Sequence, residues 1–246
     1  MVVSINIKSD LFLTIGVTAY REGNLLKESL NSIVNQSISN WKAVMILDGG
    51  CDKLTKKIFD NFKHPKFIKY KFKSNKGPYG SRKKAIELCE TEWYLQLDGD
   101  DTLPVHVVEQ VTDAIKKNEN IDYVYGDAMH FNRYKSYVKK GTDNINVLRH
   151  NPPFNAQSPF KISLYEKIGG FNPELYTNAD WDFWISVFEE NAKGIKINSI
   201  LYNRRLRKNS VGSIGLNHKL LNLEIIINGH PKFCLLYTSD AADDKQ

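Results

Sequence analysis

The sequence predicts an α/β domain, a single Rossmann-like unit with a mostly parallel central sheet and helices on both faces. Three observations predict it. Between Phe12 and Tyr125, short apolar runs rich in β-branched and aromatic residues alternate with stripes of helical spacing, the pattern of strands joined by crossover helices. Two of those runs end in carboxylates, Asp48 and Asp98, and strand ends in a parallel sheet share one crevice. At 246 residues and 41% hydrophobic content, the chain can bury a core without staples.

The elements follow in order. Phe12 to Thr18 reads as a buried strand that ends in the loop Ala19-Tyr20-Arg21-Glu22-Gly23. Asn24 is the expected cap of a helix carrying Leu25, Leu26, Leu30, Ile33 and Val34 and fading by Gln36. Trp41 to Leu47 is the second strand, ending at Asp48-Gly49-Gly50, and Leu54, Ile58, Phe59 and Phe62 form the next helical stripe, with Asp52 as a capping candidate. Phe67 to Phe72 is a half-buried strand. After Asn75-Lys76-Gly77-Pro78 a helix runs from about Gly80 to Glu90. Trp93 to Leu97 is the fourth strand, and Val105, Val107, Val108, Val111 and Ile115 make the following helix amphipathic. Ile121 to Tyr125 is a strand expected to stop at Gly126-Asp127, followed by a hairpin or edge strands over Met129 to Lys140 and a long loop over Gly141 to Pro159. Ser163 to Ile168 is a short helix closed by Gly169-Gly170. Asn178 to Asn191 is a helix whose first turn is acidic, and Ile195 to Tyr202 is a last strand before a basic segment. Leu220 to Ile227 continues as a helix or a strand.

Asp98-Gly99-Asp100-Asp101 places three carboxylates on one tight turn. They repel one another unless a cation holds them ionised. Magnesium is typically held by one or two carboxylates plus substrate phosphates, so this turn points to a divalent metal and a phosphorylated ligand. A calcium loop is excluded, because its required glycine falls on Leu103, before Pro104. Asp98, Asp100 and Thr102 also fit the nucleophile loop of a phosphatase or phosphotransferase, which would form a phospho-aspartate at Asp98. The structural alternative makes Asp101 or Thr102 a cap for the helix after Pro104.

The net charge of +6 is modest, but much of it gathers between Lys53 and Lys84 and again at Arg204, Arg205, Arg207 and Lys208. These runs read as solvated faces or as surfaces for an anionic ligand or membrane. A nucleic-acid partner is not expected, since no binding motif accompanies the lysines. The three cysteines, Cys51, Cys89 and Cys234, are odd in number and far apart, which suggests thiols in a reducing compartment. No apolar run approaches the roughly 20 residues of a membrane span, and Met1 to Asp10 lacks a signal-peptide pattern. The expected location is cytoplasmic, with peripheral contact at the inner face of the membrane.

Taken together, Val17 to Glu22, Asp48-Gly49-Gly50, Asn75-Lys76-Gly77 with Gly80-Ser81-Arg82-Lys83, Leu97 to Asp101, and Gly169-Gly170-Phe171 with Ala179-Asp180-Trp181-Asp182 resemble the inverting family 2 glycosyltransferases. The resemblance runs from about Leu11 to Ser213. It implies the glycosyltransferase A fold and transfer of a sugar from a nucleotide-diphosphate donor, a UDP-sugar favoured, to a saccharide, lipid-linked or protein acceptor. The product class is surface polysaccharide or glycoconjugate. It implies that Thr18, Tyr20 and Glu22 border the nucleotide, that Asp48 bonds the base, and that Arg82 and Asp98 sit at the nucleotide and its ribose. Asp100 would bind Mg²⁺ or Mn²⁺, Asp180 would be the general base, and Arg205 and Arg207 would close over the diphosphate. Gln157, Trp181 and Asp182 are weaker, acceptor-side assignments. The rival binding reading is a non-catalytic nucleotide-sugar module.

Three positions depart from the family pattern: Ala179 stands where an acidic residue commonly precedes the base, Gly49 where a second Asp is common, and Arg207 where a His is common. The expected organisation is an N-terminal extension over 1–10, a catalytic domain over 11–213 with nucleotide-side (11–127) and acceptor-side (128–213) halves, and a C-terminal segment over 214–246. Cys234 to Asp243 resembles read-through of adapter sequence, so the natural chain is expected to diverge near Phe233.

Overall fold

A computed structural model describes residues 12–140, 156–175, 177–207 and 219–231. The N-terminal extension, most of the long loop, residues 208–218 and the suspected read-through tail lie outside the described residues. The strands are β1 (Leu13–Ala19), β2 (Trp41–Leu47), β3 (Phe67–Lys71), β4 (Trp93–Asp98), β5 (Tyr123–Phe131), β6 (Ser136–Val138), β7 (Phe160–Lys161) and β8 (Gly194–Arg205). The helices are α1 (Leu25–Val34), α2 (Lys53–Asn61), α3 (Gly77–Glu87), α4 (Val107–Lys117), α5 (Ile162–Lys167), α6 (Ala179–Glu189) and α7 (Lys219–Gly229).

All strands join one eight-stranded sheet in the order β3-β2-β1-β4-β7-β5-β6, with β8 also paired to β5. β1 to β4 are parallel neighbours. β7 is antiparallel to both β4 and β5, so two reversals return β5 to the direction of β4, and β8 runs parallel to β5. The C-terminal ends of β1, β2, β3, β4, β5 and β8 therefore share one edge. That is the α/β architecture the periodicity predicts, with a mixed rather than purely parallel far half.

Alternation along the strands divides the core between the two faces. Ala43, Met45 and Leu47 of β2 pack with α1, α2 and α4, whereas Val44 and Ile46 pack with α3, α5, α6 and α7. Gly99 allows the β4 turn to approach β1, since a Cβ there would lie 2.7 Å from the Thr18 carbonyl oxygen.

Several boundaries differ from expectation. Asn24 has helical dihedrals and makes no side-chain cap; Asp52 does cap, accepting from the Leu54 and Thr55 amides. α3 begins at Gly77, because Pro78 starts the helix rather than preceding it. Leu54 and Val105, counted with the apolar stripes, are exposed. β5 does not stop at Gly126-Asp127 but continues to Phe131 and into the β6 hairpin, and β8 runs on through Arg205. Gly126 sits inside a strand because a register shift brings Ser199 against it, where a Cβ would meet the Ser199 carbonyl at 2.9 Å.

Candidate active site

The shared edge collects the acidic turn after β4, the loops after β1 and β2, and the basic end of β8. Asp48, almost fully buried, accepts from the backbone amides of Gly49 (2.8 Å), Lys76 (2.7 Å) and Gly77 (2.9 Å). Its carboxylate therefore builds the wall between β2 and α3, and at most a fourth acceptor position on Oδ2 remains for a base. Gly49 is required by this wall: a Cβ there would stand 2.2 Å from the Ser74 carbonyl carbon, so the Asp common at this position has no room.

Asp98 receives Arg82 Nη2 on both oxygens, at 2.8 and 3.1 Å, and Gln157 Nε2 at 3.2 Å. Burial alone would weaken the hold of Arg82 on its proton, but Asp98 and Tyr79 keep its guanidinium above the ordinary value. Asp98 lies at the end of the fourth strand with its carboxylate gripped by a cation, which argues against the phospho-aspartate reading. Asp101 is not a helix cap. It is buried and accepts from the Arg205 amide (2.7 Å) and Gln157 Nε2 (3.3 Å), stitching β4 to β8. Burial, with Asp98 and Asp100 nearby, raises its affinity for a proton.

Asp100 remains for a ligand. Burial first, and then Asp98, push its carboxyl upward, opposed by Arg207, whose Nε lies 2.5 Å from Oδ2. Glu22 stands beside it; burial pushes its carboxyl up to about 7, although it accepts from the Tyr20 amide at 2.5 Å. Thr18 Oγ1 accepts from Gln96 Nε2 at 3.3 Å. The two arginines expected over a diphosphate divide. Arg207 reaches Asp100, but Arg205 is consumed in packing: it donates to the Asp100 carbonyl (2.8 Å), pairs with Glu28 (2.5 Å) and lies 4.4 Å over Phe131.

Asp180 stands in the first turn of α6, after the left-handed Asn178. Its Oδ1 accepts from the Tyr79 hydroxyl at 3.0 Å. Burial and the neighbouring Asp180 charge raise the phenol well above its ordinary value, so Tyr79 keeps its proton and donates. Arg82 lies 5.0 Å over the Tyr79 ring. Asp98, Arg82, Tyr79 and Asp180 thus form one continuous line of contacts across the crevice. Tyr79 was not singled out from sequence, though it precedes Arg82 by one helical turn and so shares its face.

The three weaker acceptor-side residues are each engaged with other protein groups. Trp181 is buried in the core with Phe183 and Trp184, so it packs rather than stacks on a sugar. Asp182 is buried against His230 Nε2 at 3.2 Å, and Gln157 is spent on Asp98 and Asp101. Ala179 is fully buried in the same cluster as Trp181.

An α/β sheet whose switch-point edge carries an acidic turn, a tethered carboxylate on a facing helix and a basic strand end defines a single-domain glycosyltransferase A fold. The chain belongs to Glycosyl transferase family 2, whose family model matches residues 14–168. It is 23% identical over 239 residues to a chondroitin synthase of Escherichia coli, covering 93% of this chain but spanning 33% of that synthase. Among solved structures it resembles S. aureus TarS 1-349 in complex with UDP-GlcNAc (TM-score 0.71, 16% identity, 82% of this chain and 61% of that one). It also resembles the mannosyltransferase PcManGT of Pyrobaculum calidifontis in complex with GDP-Man and Mn²⁺ (TM-score 0.64, 17% identity, 84% and 60%).

Proposed function

We propose that this chain is a metal-dependent, inverting glycosyltransferase that moves a sugar from a nucleotide diphosphate to an acceptor hydroxyl in polysaccharide or glycoconjugate synthesis. The carrying observation is the line from Asp98 through Arg82 and Tyr79 to Asp180, which holds one carboxylate of the β4 turn and one facing carboxylate in a fixed relation. In this reading Asp180 takes the acceptor hydroxyl's proton, with Tyr79 orienting it. Direct displacement needs no covalent intermediate, and the Arg82 grip keeps Asp98 from acting as a nucleophile. Among the described residues no group of three or more side chains could by itself hold a metal. Asp100 supplies one carboxylate, the share that Mg²⁺ or Mn²⁺ takes from protein when substrate phosphates provide the rest, so the donor set fits. Bound there, the metal would offset charge on the leaving diphosphate. Arg207 moving from Asp100 to the diphosphate belongs to the same reading. The UDP-GlcNAc complex of TarS supports a uridine donor, and the Mn²⁺ of PcManGT supports the metal.

No helix among the described residues is long and apolar enough to cross a membrane. A cytoplasmic enzyme touching the inner membrane face through the Lys53 to Lys84 run is part of the proposal. Calorimetric titration with UDP-, GDP- and dTDP-sugars, with Mn²⁺ and then EDTA, tests the donor and the metal. Asp100→Asn should weaken metal-dependent donor binding. Asp180→Asn should leave that binding nearly intact and slow transfer by about 10²–10⁴-fold. Transfer by Asp180→Asn at the parent rate would sink the mechanism, and donor binding without any transfer by the parent would favour a non-catalytic module.

A further inference from the structure

The three carboxylates of the β4 turn are met by the chain in different ways. Asp98 is gripped by Arg82 at 2.8 and 3.1 Å, and Asp101 accepts from the Arg205 amide at 2.7 Å and from Gln157 Nε2 at 3.3 Å. Those partners are backbone or buried side chains of the crevice wall. The Asp100 carboxylate has one ion-pair partner among the described residues, Arg207, whose Nε stands 2.5 Å from Oδ2.

Arg207 is delivered to Asp100 without being packed there. The backbone just before it is fixed: the Arg205 amide donates to Asp101, the Leu206 amide to the Phe131 carbonyl at 3.0 Å, and Asn132 Nδ2 to the Leu206 carbonyl at 3.0 Å. Arg207 follows the last of these contacts, and β8 has already ended at Arg205. Its side chain is 32% exposed against 9% for Arg205, and it has no second ion pair among the described residues. Its Nε also has no hydrogen-bond partner there, so the short approach to Oδ2 is a charge contact without an aligned N–H. An enclosed N–H left without an acceptor favours exchange for a better one.

A divalent metal and this guanidinium would compete for Asp100. On either oxygen the metal would sit beside a positive charge already in place, and like charges at such range repel. A diphosphate offers Arg207 bidentate acceptance and more negative charge than one carboxylate supplies. Drawing Arg207 to the diphosphate would release Asp100 to the metal.

We infer that Arg207 is a displaceable counter-cation that holds metal off Asp100 until a nucleotide diphosphate draws it away, so that metal and donor bind as one coupled event. This rests on the glycosyltransferase reading and adds to it an order of assembly. The coupling is reciprocal: the factor by which donor tightens metal binding is the factor by which metal tightens donor binding. The same exchange in reverse returns Arg207 to Asp100 as metal and nucleoside diphosphate leave.

The test is Mn²⁺ binding to the full chain, read from loss of the free-ion electron paramagnetic resonance signal, without nucleotide, with uridine and with UDP. The UDP arm is set against a protein-free Mn²⁺–UDP solution. The parent should bind Mn²⁺ about tenfold more tightly with UDP than alone, and uridine, which lacks the diphosphate, should give no gain. Arg207→Gln should bind Mn²⁺ alone about tenfold more tightly than the parent and bind UDP more weakly in EDTA; adding Asp100→Asn should cancel the Mn²⁺ gain. A nucleotide-free Mn²⁺ affinity that Arg207→Gln leaves unchanged or weakens would overturn the inference. An equal increase in Arg207→Lys, which keeps the charge, would point to a loosened turn and overturn it as well, as would a gain from uridine equal to that from UDP. Absence of UDP binding by the parent would count against the glycosyltransferase reading, while the nucleotide-free comparison of parent and variants still reads the competition at Asp100 by itself.

Discussion

The two halves of the crevice handle charge in opposite ways. On the β2 and β4 side, which the proposed function gives to the nucleotide, the carboxylates are held by the protein: Asp48 by three amides, Asp52 by the first turn of α2, and Asp98 by Arg82. At the ends of β5 and β8, the side it gives to the acceptor, Arg204 and Lys140, after burial, hold the His130 imidazole below its ordinary value, while Asp180 and Asp127 pull Lys140 the other way. A leaving diphosphate at the β4 turn would call for cations there. Among the described residues Arg82 and Arg205 at that turn are held in packing, and Arg207 is paired with Asp100. This distribution is what a bound metal at Asp100 would complement, since much of the missing positive charge would arrive with the ligand.

If the nucleotide side is a built wall, breaking its internal pairs should damage stability before chemistry. Arg82→Ala has the largest expected effect. It strands Asp98 in a mostly enclosed position, and loss of one member of a buried pair costs about 3–5 kcal/mol, with the partial exposure of Asp98 placing this case near 3. Chemical denaturation reads it directly. Asp48→Ala should follow, at about 2–3 kcal/mol, because three backbone amides lose a charged acceptor together. If either variant unfolded at the parent denaturant midpoint, the contrast between the halves would fail.

Tyr79 links the halves and separates stability from catalysis. Tyr79→Phe removes the hydroxyl that donates to the half-buried Asp180 carboxylate and accepts from the Asp180 amide, a loss of about 1 kcal/mol. Its larger signature should be in the rate: kcat falls while donor affinity holds, because Asp180 loses the donor that orients it. An unchanged kcat would make Tyr79 packing only.

The nucleotide half was also the more legible from sequence, for the same physical reason. Parallel strands buried on both faces are continuous apolar runs, and β2 has the bounds the run Trp41 to Leu47 predicts. Asp48 and Asp98 stand out in the sequence as carboxylates at strand ends, and Asp180 only through the family resemblance. What could not be read depended on tertiary pairing. β7 is two residues long, too short for any periodicity, yet it bridges β4 and β5 and returns β5 to the parallel direction. Gly126 looked like a strand end and proved to be a close approach inside one. Arg205 reads in sequence as part of a solvated basic run or as a group closing over a diphosphate, and nothing local to it announces Glu28, a partner 177 residues away.

His230 is the clearest case of a residue invisible to local pattern, and it carries the smallest prediction. It follows α7 and reaches back to α6, with Nδ1 at 2.8 Å from Glu189 and Nε2 at 3.2 Å from Asp182, while Asn222 bonds Thr177 at 2.5 Å. Burial alone would lower its proton affinity, but the two carboxylates prevail and raise it. The sign follows: the native state binds this proton more tightly than the unfolded chain, whose histidine titrates near 6.5. The clasp's contribution is therefore complete below about pH 6.5 and declines as pH rises through the higher native value. His230→Gln should lower the melting temperature most in mildly acidic buffer, with the gap to the parent narrowing above neutrality. Because Asp182 lies in the same first turn as Asp180, the variant should also loosen the base and lower kcat modestly without changing donor affinity. A gap that widened with pH would mean that the imidazole is held neutral and that the two carboxylates do not share a proton-carrying partner.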